Sequence, residues 1–106
     1  MKKHGFKGAQ REALKALKEG RIQHEPRSTL SEKNLLSTGD VDVDFVTHLI
    51  QSTASRDAGN NPHHFLDVEV WVFKPMVAGV RWYTKFYLIN DLWFISVHRS
   101  EAEGFL

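Results

Sequence analysis

The spacing of apolar side chains divides this chain into a first half that reads as helices and a second half that reads as strands. Between Phe6 and Glu19, the residues Phe6, Ala13, Leu14 and Leu17 share one side of a helix, and Gly20 is placed to end it. Residues 21–30 read as a loop marked by Pro26, a short helix is expected to begin at Ser31 with Glu32 near its start, and Gly39 breaks the chain again. In "DVDVDFVTHLIQ" the first residues alternate like a strand, but Phe45, Val46, Leu49 and Ile50 fall on a helical stripe. The expectation is a helix from about Asp42 to Ser52, with aspartates at the end where the helix dipole favours negative charge. His48, set among apolar positions, reads as a surface or structurally satisfied histidine.

Past a polar loop at 53–64, "TASRDAGNNPHH", the period changes to two. "FLDVEVWVFK" puts Leu66, Val68, Val70 and Val72 on one face, with Asp67 and Glu69 on the other beside Phe65, Trp71 and Phe73. "RWYTKFYLINDLWFISVH" (81–98) then reads as a hairpin turning at Asn90-Asp91, two residues that tolerate positive φ. A two-residue turn pairs Tyr87 with Phe94, Lys85 with Ser96 and Tyr83 with His98, and paired residues project to the same side. Arg81, Tyr83, Lys85, Tyr87, Phe94, Ser96 and His98 are therefore expected on one face. Trp82, Thr84, Phe86, Leu88, Trp93, Ile95 and Val97 are expected on the other, under the helices. Helices first and strands after predict one α+β domain over 1–106, with N-terminal helices on one face of a twisted antiparallel sheet of at least three strands.

Composition changes this picture little. The 106 residues include no cysteine, which excludes disulfides and thiolate metal sites and makes a reducing cytoplasm the expected setting. No apolar run follows the basic N-terminus, so neither a signal peptide nor a membrane span is expected. The net charge is only +1, but residues 1–27 carry eight Lys and Arg against three Glu. Within that end, Lys7, Arg11, Lys15 and Lys18 recur on another side of the first helix, a basic stripe suited to a polyanion or simply to solvent.

The polar face of the hairpin carries the chemistry. Cleavage beside a ribose 2′-hydroxyl needs a base for that hydroxyl, an acid for the leaving 5′-oxygen and cations around the phosphorane-like transition state. His98 can be the acid or base, Lys85 can hold phosphate oxygens, and Tyr83 can donate a proton or orient the phosphate. Arg81 can make a bidentate phosphate contact, and Tyr87 or Phe94 can stack on a base. Glu69 joins the set if its strand aligns it with Lys85. An exposed antiparallel face also carries such alternating polar residues for no reason but solubility. The adjacent His63 and His64 invite a metal, yet spacing fixes no third ligand, so no metal or other cofactor is expected. His64, with His63, stays an acid–base candidate. There is no glycine-rich phosphate loop and no serine or cysteine nucleophile motif.

The order "ALKALKEGRI … TLSEKNLLSTGDVDVDFVTHLIQ … HHFLDVEVWVF … WYTKFYLINDLWFISVH" resembles the MqsR family of type II toxin–antitoxin toxins, with Tyr83-Thr84-Lys85 and "FISVH" (94–98) as the closest points. That resemblance implies a RelE-like fold and a metal-independent endoribonuclease that cleaves mRNA and is neutralised by a cognate antitoxin. Tyr83 matches the family's active-site tyrosine. His98 stands where the family usually has a lysine on the last strand, and Arg56 is the nearest counterpart of its upstream lysine. The family's glutamine on the first long strand has no clear equivalent. The alternatives are a non-catalytic RNA- or protein-binding module and the nuclease domain of a delivered toxin.

Overall fold

In the computed structural model, which describes residues 5–26, 34–63 and 66–100, helix α1 spans Phe6–Glu19 and turns Ala9, Ala13, Ala16 and Leu17 inward. Three alanines on the buried side let the helix sit close to its neighbours. It ends at Gly20, whose φ of 74° only glycine adopts freely, with Gly20 N–H donating to Leu17 O and Arg21 N–H to Ala16 O. Helix α2 (Leu35–Thr38) starts at Asn34, whose side chain accepts from Ser37 N–H, and stops at Gly39; the expected start at Ser31 and Glu32 lies outside the described residues. Helix α3 (Val43–Gln51) is capped by Asp42, whose carboxylate accepts from Phe45 N–H at 2.8 Å. The Gln10 amide donates to Ile50 O and Thr53 O at 3.0 and 3.1 Å, joining α1 to the last turn of α3. His48 is exposed, as a surface histidine should be.

The strands are β1 (Ile22–His24), β2 (Ala58–Pro62), β3 (Glu69–Phe73), β4 (Met76–Val77), β5 (Val80–Ile89) and β6 (Asp91–Arg99). They lie in the order β1-β6-β5-β3-β2, with β4 beside β5. The α+β expectation holds, but the sheet is mixed, because β1 runs parallel to β6. Two strands fall in segments that read as loops, β1 in 21–30 and β2 in 53–64. Both are sheet edges. The side chains of β2 are exposed beyond Ala58, so no alternation marks it, and Pro62 needs no ladder donor at an edge. β1 is fixed by Arg21. Its carbonyl accepts from Leu92 N–H at 2.9 Å. Its guanidinium pairs with Glu19 at 2.7 Å and donates to the Asn90 carbonyl at the hairpin turn.

The β5–β6 register departs from the expected hairpin between a bulge and the turn. Tyr83 faces His98 and Lys85 faces Ser96, as expected, but a bulge follows, and Phe86 faces Phe94, Tyr87 faces Trp93 and Ile89 faces Asp91. Only Asn90 takes a positive φ, 62°, in a turn tighter than the two-residue one. The extra residue on β6 is Ile95, and from there to the turn the faces exchange. Phe94 is buried on the helix side with Phe73 and Phe86, together with Trp82, Val97, Leu92 and the inner faces of α1 and α3. Trp93 and Ile95, expected under the helices, lie on the opposite face with Tyr87 and Val70, where they form a second small core.

Thr84 is fully buried on the helix side, and its hydroxyl has no hydrogen-bond partner among the described residues. Replacing it with the nearly isosteric valine removes a desolvated donor, so Thr84→Val should raise unfolding stability by about 1 kcal/mol. A urea midpoint at or below that of the parent contradicts this. In the second core, burial and then the hydrogen bond and charge of Glu25 push the Tyr87 phenol well above its ordinary range. The fold holds this proton more tightly than the unfolded chain does. The resulting stabilisation is complete below the ordinary tyrosine pKa of about 10 and declines as pH rises beyond it. Tyr87→Phe should lower stability at pH 7 by about 1–2 kcal/mol yet give a flatter decline in urea midpoint above about pH 10. Parallel alkaline slopes for parent and variant would mean the phenol is not held this way.

Candidate functional site

The site is built on the half of the hairpin before the bulge, where alternation is undisturbed. Tyr83 and His98 are direct cross-strand partners, and their rings stack with centroids 5.5 Å apart and planes 7° from parallel. Both are half-buried, as is Lys85, two residues along β5 on the same face and opposite Ser96. His98 Nδ1 lies 2.8 Å from Arg99 O. A carbonyl can only accept, so Nδ1 carries the proton, and the neutral ring presents Nε2 as an acceptor with no partner among the described residues.

One cation near this pair was not evident from the sequence. Lys74 Nζ sits 5.9 Å from the centre of the Tyr83 ring, within range of a cation–π attraction. Its backbone is clamped, with Lys74 N–H donating to Asp57 O at 2.8 Å and Lys74 O accepting from Arg81 at 2.6 Å. Lys74 falls in a connector before Pro75, where periodicity gives no facing, and only the fold of β3, β4 and β5 brings it over Tyr83. Arg81 is at this end too, but its guanidinium is held by Asp57 at 3.3 Å as well as by Lys74 O. It acts first as a framework tie. Arg56 is exposed in the 3-10 turn Ser55–Asp57, beside the carboxylate that holds Arg81.

The structure separates other groups that the sequence reading placed together. Val72, not Glu69, aligns with Lys85; Glu69 is three residues away, turned to the other face, and accepts from the Asn60 amide at 2.9 Å. Phe94 is buried on the helix side and Tyr87 is buried in the second core, so neither offers a base-stacking surface. Trp93, half-buried and stacked on Tyr87 at 5.9 Å, is the aromatic the bulge puts there instead. Lys7, Arg11, Lys15 and Lys18 are all exposed. At about 100° per residue they centre on the side of α1 opposite Ala9, Ala13 and Ala16, so they point away from the sheet and from Tyr83. His64 lies outside the described residues.

His63 is wired differently from His98. Nδ1 accepts from Leu66 N–H at 3.1 Å, which places the proton on Nε2, and Nε2 is 2.9 Å from Glu25 Oε1. The ring also meets Tyr87 edge to face at 5.1 Å, and the Tyr87 hydroxyl bonds Glu25. Both ring nitrogens are thus engaged, and the group fastens the ends of β1 and β2 over the sheet. Among the described residues no three His, Asp or Glu side chains converge as a metal site needs, and no helix is long and apolar enough to cross a membrane.

Comparison with known proteins finds no family model, no curated protein and no solved structure that matches this chain.

Proposed function

We propose that this chain is an endoribonuclease of the toxin type, cleaving mRNA by general acid–base chemistry at the Tyr83–His98 pair. The observation that carries the reading is the His98 hydrogen bond to Arg99 O, which leaves Nε2 unengaged beside the Tyr83 ring. In its neutral form Nε2 can take the 2′-hydroxyl proton; once protonated it can return one to the leaving 5′-oxygen. The Tyr83 hydroxyl supplies the second proton-bearing group or a hydrogen bond to the scissile phosphate. Lys74, 5.9 Å from the centre of the Tyr83 ring, and Lys85, two residues along β5 on the same face, are the cations that would offset charge on the phosphorane. The resemblance of Tyr83-Thr84-Lys85 and residues 94–98 to the MqsR family points the same way. It brings a RelE-like fold, a cytoplasmic setting, independence of metal and a cognate antitoxin as parts of the proposal. A neighbouring antitoxin gene separates this from the nuclease domain of a delivered toxin.

A second reading has its own support. Two rings stacked 7° from parallel on a half-buried face are a ready surface for an RNA base, and that use needs no proton transfer. Incubating the purified chain with RNA in EDTA divides the two: cleavage supports the nuclease, and binding with intact RNA supports the non-catalytic module.

On the nuclease reading, His98→Ala should slow cleavage by roughly 10²–10⁴-fold, the range for losing a general acid or base. Lys85→Ala and Lys74→Ala should also slow it. Tyr83→Phe tests the phenol apart from the ring. Because these groups act on one phosphate, the His98→Ala, Tyr83→Phe double variant should be little slower than the poorer single variant. Cleavage by His98→Ala at the parental rate would overturn the assignment, and the described residues offer no second histidine with an unengaged nitrogen near Tyr83.

A further inference from the structure

The outward face of α1 is a strongly charged surface that the sheet site does not use. Lys7, Arg11, Lys15 and Lys18 are exposed along it, and the first three follow one another at roughly 6 Å along the helix axis. The acidic residues of the helix border the stripe on one flank. Glu12 and Glu19 lie about a quarter turn from the centre of the stripe, and Glu19 is held by Arg21 at 2.7 Å. The opposite flank is occupied by Gln10, bonded to the end of α3. The stripe therefore presents four cations along one side of the helix, bordered at Lys15 by Glu12 and Glu19.

From this row we infer a docking surface for the phosphodiester backbone of double-stranded RNA, on the opposite side of the molecule from the Tyr83–His98 pair. The roughly 6 Å axial interval is close to the distance between neighbouring phosphates of one strand, and the long exposed side chains can bring successive cations to successive anions. Sites for single strands combine cations with aromatic stacking platforms. This stripe has none: Phe6, the one aromatic residue of α1, packs inward against Phe73 at 5.3 Å. Contacts to backbone without contacts to bases carry no sequence information, so the surface selects shape and charge. It localises the protein on structured RNA while the other face remains open to a strand. The inference does not depend on cleavage.

The test uses the full chain, an RNA duplex of about twenty base pairs of arbitrary sequence, and the variant Lys7→Glu, Arg11→Glu, Lys15→Glu. Four phosphate contacts predict that parental affinity for the duplex falls roughly 100-fold between 50 and 200 mM salt. The variant, with one contact left, should bind far more weakly and lose only a few-fold over that range. Circular dichroism checks that the variant is folded, and Lys7→Gln, Arg11→Gln, Lys15→Gln should give the same direction with a smaller loss. The charge-reversed variant should still cleave a short single-stranded oligonucleotide if the parent does. Equal duplex affinity and equal salt dependence in parent and variant overturn the inference. So does tighter, stripe-dependent binding of poly-glutamate than of the duplex, which would make the surface one for an acidic protein.

Discussion

The β-bulge at Ile95 decides what each face of this sheet can be. Without it, strict alternation along β6 would send Phe94 to the open face and put Trp93 under the helices. With it, Phe94 meets Phe86 beneath α1 and α3, while Tyr87, Trp93, Ile95 and Val70 gather on the other side. One inserted residue thus lets a two-stranded ribbon serve two cores. It also divides the hairpin in length. The half toward the turn is apolar on both sides, and only the half before the bulge keeps one core face and one polar face. The Tyr83–His98 pair stands on that half, where a packed helix-side core can hold a polar pair in place.

This explains what could be read from the chain and what could not. The helical stripe of α1, its glycine stop and the aspartate cap of α3 follow from local rules, because each depends on residues a few positions apart. The Tyr83–His98 pairing matches the expected one because the tighter turn and the bulge each shift the register by one residue and offset each other. The bulge has no such signature: "LWFIS" is apolar enough to read either way, and which face receives Phe94 is settled by packing against Phe86 and Phe73. β1 and β2 escaped for another reason. Each is an edge strand with one partner, and their pairing is dictated by the strand beside them and not by their own composition. Lys74 and Glu25 were missed because their importance lies in tertiary contacts, over Tyr83 in one case and with His63 and Tyr87 in the other.

His63 and His98 show why geometry must precede any assignment of chemistry to a residue type. In His98 the pinned nitrogen faces a backbone carbonyl, an acceptor only, so the remaining nitrogen is open for proton transfer. In His63 one nitrogen accepts from a backbone amide and the other faces a carboxylate. With one nitrogen accepting from Leu66 N–H and the other facing Glu25, the ring is suited to holding two chain segments together. A carboxylate, a histidine and a tyrosine in contact look like a catalytic set by residue type. Here Glu25 holds both His63 and the Tyr87 phenol, and burial favours the protonated phenol.

The same sorting applies to the cations and shows why a net charge of +1 says so little about partners. Arg21 and Arg81 are both tied to carboxylates and to backbone carbonyls, and they grip the two ends of β5: Arg21 at Asn90 and Asp91, Arg81 at Asp57 and Lys74. A planar guanidinium with several donors suits this work, since it can hold an acid and a carbonyl at once. These arginines neutralise acids within the framework. Lys74 and Lys85 lie at the sheet site, and Lys7, Arg11, Lys15 and Lys18 are exposed along α1. The near-neutral total thus averages over arginines tied into the framework and cations grouped along one face of α1.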